Sequence, residues 1–302
     1  MRTLLGLALI VLAMRDVRHE LFHPEQSGTL SRLLSRVIWR ASRSIATRYR
    51  PWLYRAGPIM LMAIGAMWVA LVVLGATLIN LDHLPRDFNV NPGLPPEARR
   101  GFVTALYISA SQITSAGAAD ITPVSVPMRL LAAFEPLTGL VVITAWITWV
   151  LSIYPIIAQR RAFAREVDLL RRAQPDADTV AREGPSESVG EILHDLTSQV
   201  VIVAAQLSQA RITYYFQNED PEHGLASTLP YVLALARSAE REGREPAIRQ
   251  LATRLRMAVE DLLCDIGDAH LGVTASPDKV LDALARDHLR NPKAQIPKPK
   301  SQ

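Results

Sequence analysis

The stretch GPIMLMAIGAMWVALVVLGATLIN, Gly57 to Asn80, decides the fold. It carries no charge over about 24 residues, roughly 36 Å as a helix, enough to cross a hydrocarbon core of about 30 Å. A second apolar run, Leu130 to Ile157, is interrupted by Glu135 and Pro136. Between them GFVTALYISASQIT, Gly101 to Thr114, is mildly apolar and too short to cross, the size of a re-entrant helix. Near the start, Thr3 to Met14 is a dozen apolar residues, short for a span. Continued through Val17, Leu21 and Phe22 it reaches a spanning length with its charged end in the headgroups. No small-x-small cleavage pattern precedes Arg15 and Asp16, so a first span is expected over a cleaved signal.

Charge sets an orientation. The chain has 302 residues and a net charge of +4. Its arginines crowd beside the apolar runs: Arg15 and Arg18, then Arg32, Arg36, Arg40, Arg43, Arg48, Arg50 and Arg55, and later Arg160, Arg161 and Arg165. That distribution fits the positive-inside rule better than a nucleic-acid surface. It puts the N-terminus outside, the C-terminal part in the cytoplasm, and the short segment dipping in from outside. Ser31 to Arg48 repeats arginine near helical spacing among Leu33, Leu34, Val37, Ile38 and Ile45, as an amphipathic helix on an anionic inner leaflet does. The one cysteine, Cys264, excludes an intrachain disulfide and a cysteine-cluster metal site, and is expected to be a buried thiol.

The loop after the short helix reads ITSAGAADITP, Ile113 to Pro123. With ALYISASQIT before it and ITPVS, RLLAAFEPLTGL and ITWVLSIYP after it, the region from about Ala105 to Pro155 resembles the potassium-channel superfamily, in particular its two-span bacterial ion channels. The resemblance implies an all-α membrane protein, tetrameric, built on a pore module at 57–158. Its parts are an outer helix at 57–80, a pore helix at 101–114, a filter loop at 115–120 and an inner helix at 129–158. An N-terminal membrane helix (1–24) and a basic interfacial helix (25–56) precede it. A linker (159–188), a helical cytoplasmic domain (189–290) and a disordered tail (291–302) follow.

By that resemblance Ser115, Ala116, Gly117, Ala118 and Ala119 take the five filter positions, Thr114 flanks them, and Asp120 stands at the outer mouth. Backbone carbonyls there replace the water shell of a cation. Ala119 stands where the family has a second glycine, and costs about 1–2 kcal/mol if it is left-handed. Ala118 stands for a tyrosine that wedges the filter, and Ala116 for a valine. The loop is therefore expected to be wider and less selective for potassium. Cation conduction, anion passage through inward amides, and a closed scaffold or sensor acting through its cytoplasmic helices all stay open. Glu135 is expected to pack behind the loop, Pro136 to kink the inner helix, and Gly139 to serve as hinge or close contact. Thr138, Thr144 and Thr148 are candidates for the inner cavity.

Two motifs are set aside. HELFH, His19 to His23, fits a zinc-peptidase pattern but ends an apolar segment at Pro24, with no third ligand in view. HDLTSQ, from His194, resembles a phosphoacceptor box without its proline or any ATP-binding region. Tyr214 to Phe216 is expected to be aromatic packing at a helix end rather than the cap of a ligand pocket. With neither P-loop nor G-x-G-x-x-G, no nucleotide cofactor and no enzymatic activity are expected. The expected partners are three further copies of the chain in a homotetramer, lipid with an anionic inner leaflet and permeant monovalent ions, with no nucleic acid, in a bacterial plasma membrane.

Overall fold

The computed structural model describes residues 1–22, 28–218, 220–241 and 245–289. The chain is mostly helical. The helices are α1 (Arg2–Phe22), α2 (Thr29–Ala46), α3 (Pro51–His83), α4 (Phe102–Ile113) and α5 (Val126–Ala173). Five more follow: α6 (Ala177–Glu183), α7 (Ser186–Gln209), α8 (Leu225–Ala239), α9 (Pro246–Ile266) and α10 (Pro277–Asp287). Two strands, β1 (Phe88–Val90) and β2 (Ile121–Pro123), form an antiparallel ribbon that the all-α expectation lacked. α3 and α5 are long and apolar enough to cross a membrane, and α4 is a shorter apolar helix.

Several boundaries differ from the sequence reading. α3 begins at Pro51 and ends at His83, because the apolar criterion ignored the polar turns that continue its backbone bonding. α5 runs unbroken for 48 residues, about 72 Å, through Pro136 and Pro155 to Ala173. The expected linker at 159–188 is therefore largely helical. Its polar composition hid a buried stripe: Phe163, Val167, Val180 and Ala181 are all in the core. Cys264 is exposed on α9, not buried, because the inward stripe is held by Leu255, Val259, Leu262 and Ile266. The tail at 291–302, His23 and Pro24 lie outside the described residues.

The chain divides into two compact units. The first comprises residues 1–37 and 58–152. There α1 runs antiparallel to α3, and glycines set the closeness of the crossing. A Cβ on Gly6 would stand 2.4 Å from the Gly75 carbonyl, and one on Gly75 would stand 2.7 Å from the Gly6 carbonyl. Small residues of this kind let helix backbones approach where lipid supplies no hydrophobic drive. Buried Asp16 anchors the far end. It accepts the N–H groups of Leu30 (3.1 Å) and Ser31 (3.3 Å) at the start of α2, the Ser31 hydroxyl, and the Trp68 indole N–H (2.9 Å). A side chain from α1 thus caps α2.

The second unit comprises residues 38–57 and 153–302. α7, α8 and α9 form its core around Leu193, Leu196, Val200, Leu229, Leu255 and Leu262, with α6 and α10 packed on α8. Asp287 ties the end of α2 to this bundle. It accepts from the Trp39 indole (3.0 Å) and the Tyr214 hydroxyl (2.6 Å), and pairs with Arg43 (3.0 Å). Tyr214 stacks on His270 at 4.1 Å and meets Trp39 edge-on at 6.3 Å. Burial, then the Asp287 charge, pushes the Tyr214 hydroxyl well above its ordinary pKa, so it remains a donor.

Asp287→Ala should lower stability by about 2–4 kcal/mol, since it strands a buried hydroxyl and an indole N–H. Thermal unfolding of the full chain in detergent reads this as a fall in Tm. Asp282→Ala, on the same helix, is the control and should leave Tm unchanged.

Candidate functional site

The site is built on the end of α4. Thr114 caps the helix, and Ser115 adopts a left-handed conformation at φ 60°. The amide of Ser115 donates to the Gln112 carbonyl (2.9 Å) and that of Ala116 to the Ser111 carbonyl (2.8 Å), the paired bonds of a Schellman closure. Gly117 also donates to Ser111 (3.0 Å), and Thr114 donates to Ala110 through its amide (3.0 Å) and its hydroxyl (2.7 Å). Four consecutive loop amides therefore turn back onto the helix. Among the described residues no hydrogen-bond donor reaches the carbonyls of Ser115, Ala116 or Gly117. Residues Thr114 to Gly117 and Ala119 are exposed.

Left-handed geometry falls at Ser115 and Gly117 (φ 71°), and Ala119 is free of it. The strain expected at Ala119 is absent, and a comparable cost of about 1–2 kcal/mol sits at Ser115, offset by the helix-closing bonds. Nothing lies within 4 Å of a Cβ built on Gly117, so glycine is needed there for its backbone alone. Ala118 turns inward. It is 5% exposed in an apolar cluster with Ile79, Phe88, Ile108, Ile121 and Met128.

The ribbon fixes the far end of the loop. Ile121 pairs with Val90, and the Asn91 amide donates to the Asp120 carbonyl (2.9 Å). The Asp120 carboxylate accepts from the Tyr107 hydroxyl on α4 (3.1 Å). This side chain is held toward α4.

Behind the loop, Asn80 of α3 donates to the Ser109 hydroxyl on α4 (2.9 Å) and to Glu135 on α5 (3.2 Å). One amide joins three helices. Glu135 is 5% exposed, with one carboxylate oxygen on Asn80 and the other without a hydrogen-bond partner among the described residues. Pro136 lies in continuous helix. Gly139 meets α4 directly: a Cβ there would stand 2.3 Å from the Ile113 carbonyl, the last of α4. Its role in this structure is close approach. Trp146 donates to the Leu61 carbonyl (3.1 Å), further binding α5 to α3. Thr144 and Thr148 are exposed on α5, one helical turn apart, and Thr138 bonds its own helix at Phe134. Sequence reasoning missed Asn80, Ser109 and Tyr107. Asn80 was the most legible of them, an amide closing an otherwise apolar run.

The decoy motifs find structural uses. Glu20 accepts the Gly28 amide (3.2 Å), while His23 lies outside the described residues. His194 is exposed on α7, with its carbonyl accepting Ser198.

The chain is 26% identical over 163 residues to a Bacillus subtilis (strain 168) protein named "Uncharacterized membrane protein YdjJ", covering 54% of this chain and 47% of the relative. It thus spans about half the length of the curated relative it matches. No family model matches the chain, and no solved structure does. The relative's name and the two long apolar helices together point to a membrane protein. The potassium-channel resemblance rests on this chain's own residues.

Gly139→Ala should cost more than Gly117→Ala, because the first drives a methyl into backbone while the second meets only open space. A fall of about 1–3 kcal/mol is expected for Gly139→Ala and about 1–2 kcal/mol for Gly117→Ala. Ala118→Tyr should be worse than either, since the apolar cluster behind the loop has no room for a ring. Denaturant titration of the three variants in detergent ranks them, and a Gly139→Ala protein as stable as wild type would contradict the close contact.

Proposed function

We propose that this protein is a passive pore for monovalent cations with little or no potassium selectivity, assembled as a homotetramer around the loop Thr114 to Asp120. The observation that carries the reading is the use of the loop backbone. Its first four amides, Thr114 to Gly117, are consumed by α4, and its carbonyls at Ser115 to Gly117 are left open on an exposed surface. Carbonyl oxygens with no internal donor are what a partly dehydrated cation requires. The carboxyl end of α4, with its partial negative charge, and the Asp120 carboxylate add to the preference for cations. Of the three alanines, Ala118 is committed to the packing, so Ala116 and Ala119 present only small methyls on the open side. That favours a wide, hydrated path.

The rival anion path needs loop amides facing the ion; those of Thr114 to Gly117 are already bonded, which leaves it only the amides of Ala118 to Asp120. The tetramer is supported by α5, which exposes Leu130, Phe134, Leu137, Leu140 and Leu151, more apolar surface than a monomer in water tolerates. Lipid and neighbouring copies would share it. In this reading the chain is a multi-pass plasma-membrane protein, its amino end outside and its helical bundle in the cytoplasm.

Liposomes containing the purified protein test the reading. Under a KCl gradient the reversal potential should follow potassium, and replacing potassium by sodium should shift it little. A current that follows chloride overturns the cation assignment, and correctly assembled protein without current overturns conduction. Asp120→Asn should reduce single-channel current most at low ionic strength, where the field of the carboxylates is least screened.

A further inference from the structure

Tyr54, Arg161 and Arg165, which flank the two apolar runs, line a half-open cavity of about 510 Å³ together with Asn218, Asp220 and His223 among others. Its depth follows from helical rise. Tyr54 stands about 4.5 Å before Gly57 on α3, and Arg161 and Arg165 stand roughly 6 and 12 Å beyond Ile157 on α5. That is headgroup depth on both helices. The chemistry is one-sided. Arg165 and Tyr54 have no hydrogen-bonded partner or ion pair among the described residues. Arg161 uses its Nε on Asn218 (2.7 Å) and keeps its outer N–H groups. Among the described residues one carboxylate lies on the wall, Asp220, and it is occupied by the Glu222 amide (2.9 Å) and by His223 (3.3 Å). His223 in turn faces Asp168 (3.4 Å). Two guanidinium groups and a phenol therefore line one cavity, with the Asn218 side chain their one bonded acceptor among the described residues, a donor set that suits phosphate oxygens.

We propose that this cavity binds the phosphate of an anionic membrane lipid, held by Arg161, Arg165 and Tyr54. The proposal rests on the membrane reading above. A zwitterionic headgroup would bring its own ammonium toward two guanidinium groups, so a headgroup without a cation, such as phosphatidylglycerol, is preferred. Basic pockets between helices at the inner boundary are suited to such headgroups.

Native mass spectrometry of the full chain in detergent tests this, with phosphatidylglycerol and phosphatidylcholine as probes and inorganic phosphate as competitor. Wild type should retain phosphatidylglycerol in preference to phosphatidylcholine. Arg165→Gln, which breaks no hydrogen bond or ion pair among the described residues, should weaken that binding about tenfold, the scale of one lost charge-assisted contact. Arg165→Lys should lie between, keeping charge without the planar fork. Equal retention of the two lipids, or undiminished phosphatidylglycerol binding in a folded Arg165→Gln variant, overturns the proposal. Displacement of the lipid by inorganic phosphate at matched concentration overturns its lipid origin. Carbonate extraction of membranes separates the two levels. A chain that washes off overturns the membrane reading itself, whereas one that stays and ignores phosphatidylglycerol overturns the lipid site alone.

Discussion

Backbone polar groups buried away from water must find partners within the protein, and the unit that carries the loop is organised around that constraint. The reversal after α4 is the hardest place to meet it. The chain leaves a helix, turns, and re-enters an extended ribbon within a few residues. It meets the demand by folding four amides back onto Ala110, Ser111 and Gln112, at the cost of a left-handed serine. Asn80 then does for side chains what the Schellman closure does for backbone, joining α3, α4 and α5 with two bonds. Asp16 plays the matching part at the other end of the unit. Remove these and the apolar faces remain, but their mutual register has no polar reference.

Because the amides are spent inward, the polarity of the loop follows from its fold. The carbonyls are what remains exposed, so the surface presented between Thr114 and Gly117 is one of acceptors. The three alanines divide in function accordingly. Ala118 belongs to the apolar packing, whereas Ala116 and Ala119 belong to the open side. A sequence comparison treats them as three equal losses, and the structure does not.

The apolar runs made α3, α4 and most of α5 legible, since 3.6-residue helices in hydrocarbon need little more than length and lack of charge. Glu135 was also readable, as an acid where acids are expensive. What stayed hidden depended on partners distant in sequence. Polar composition at 159–188 suggested a linker, yet Val180 and Ala181 need only α8 beside them to make a core. The ribbon was invisible because its three-residue strands have no periodicity to detect. Left-handed backbone was assigned to Ala119 by likeness and found at Ser115, because helix closure, a local hydrogen-bond pattern, decided the geometry. Cys264 was misjudged for a similar reason: thiols favour interiors on average, but the face of α9 is set by its leucines.

α5 has a mechanical consequence. Pro136 leaves one backbone carbonyl of α5 without its helical donor, and one turn on, at Gly139, α5 bears directly on the last carbonyl of α4. With that contact as a pivot, a local rotation of α5 about Gly139 would be felt at the helix that carries the loop. The two helices would then meet as parts of one bearing, with the fit of a single glycine setting the friction.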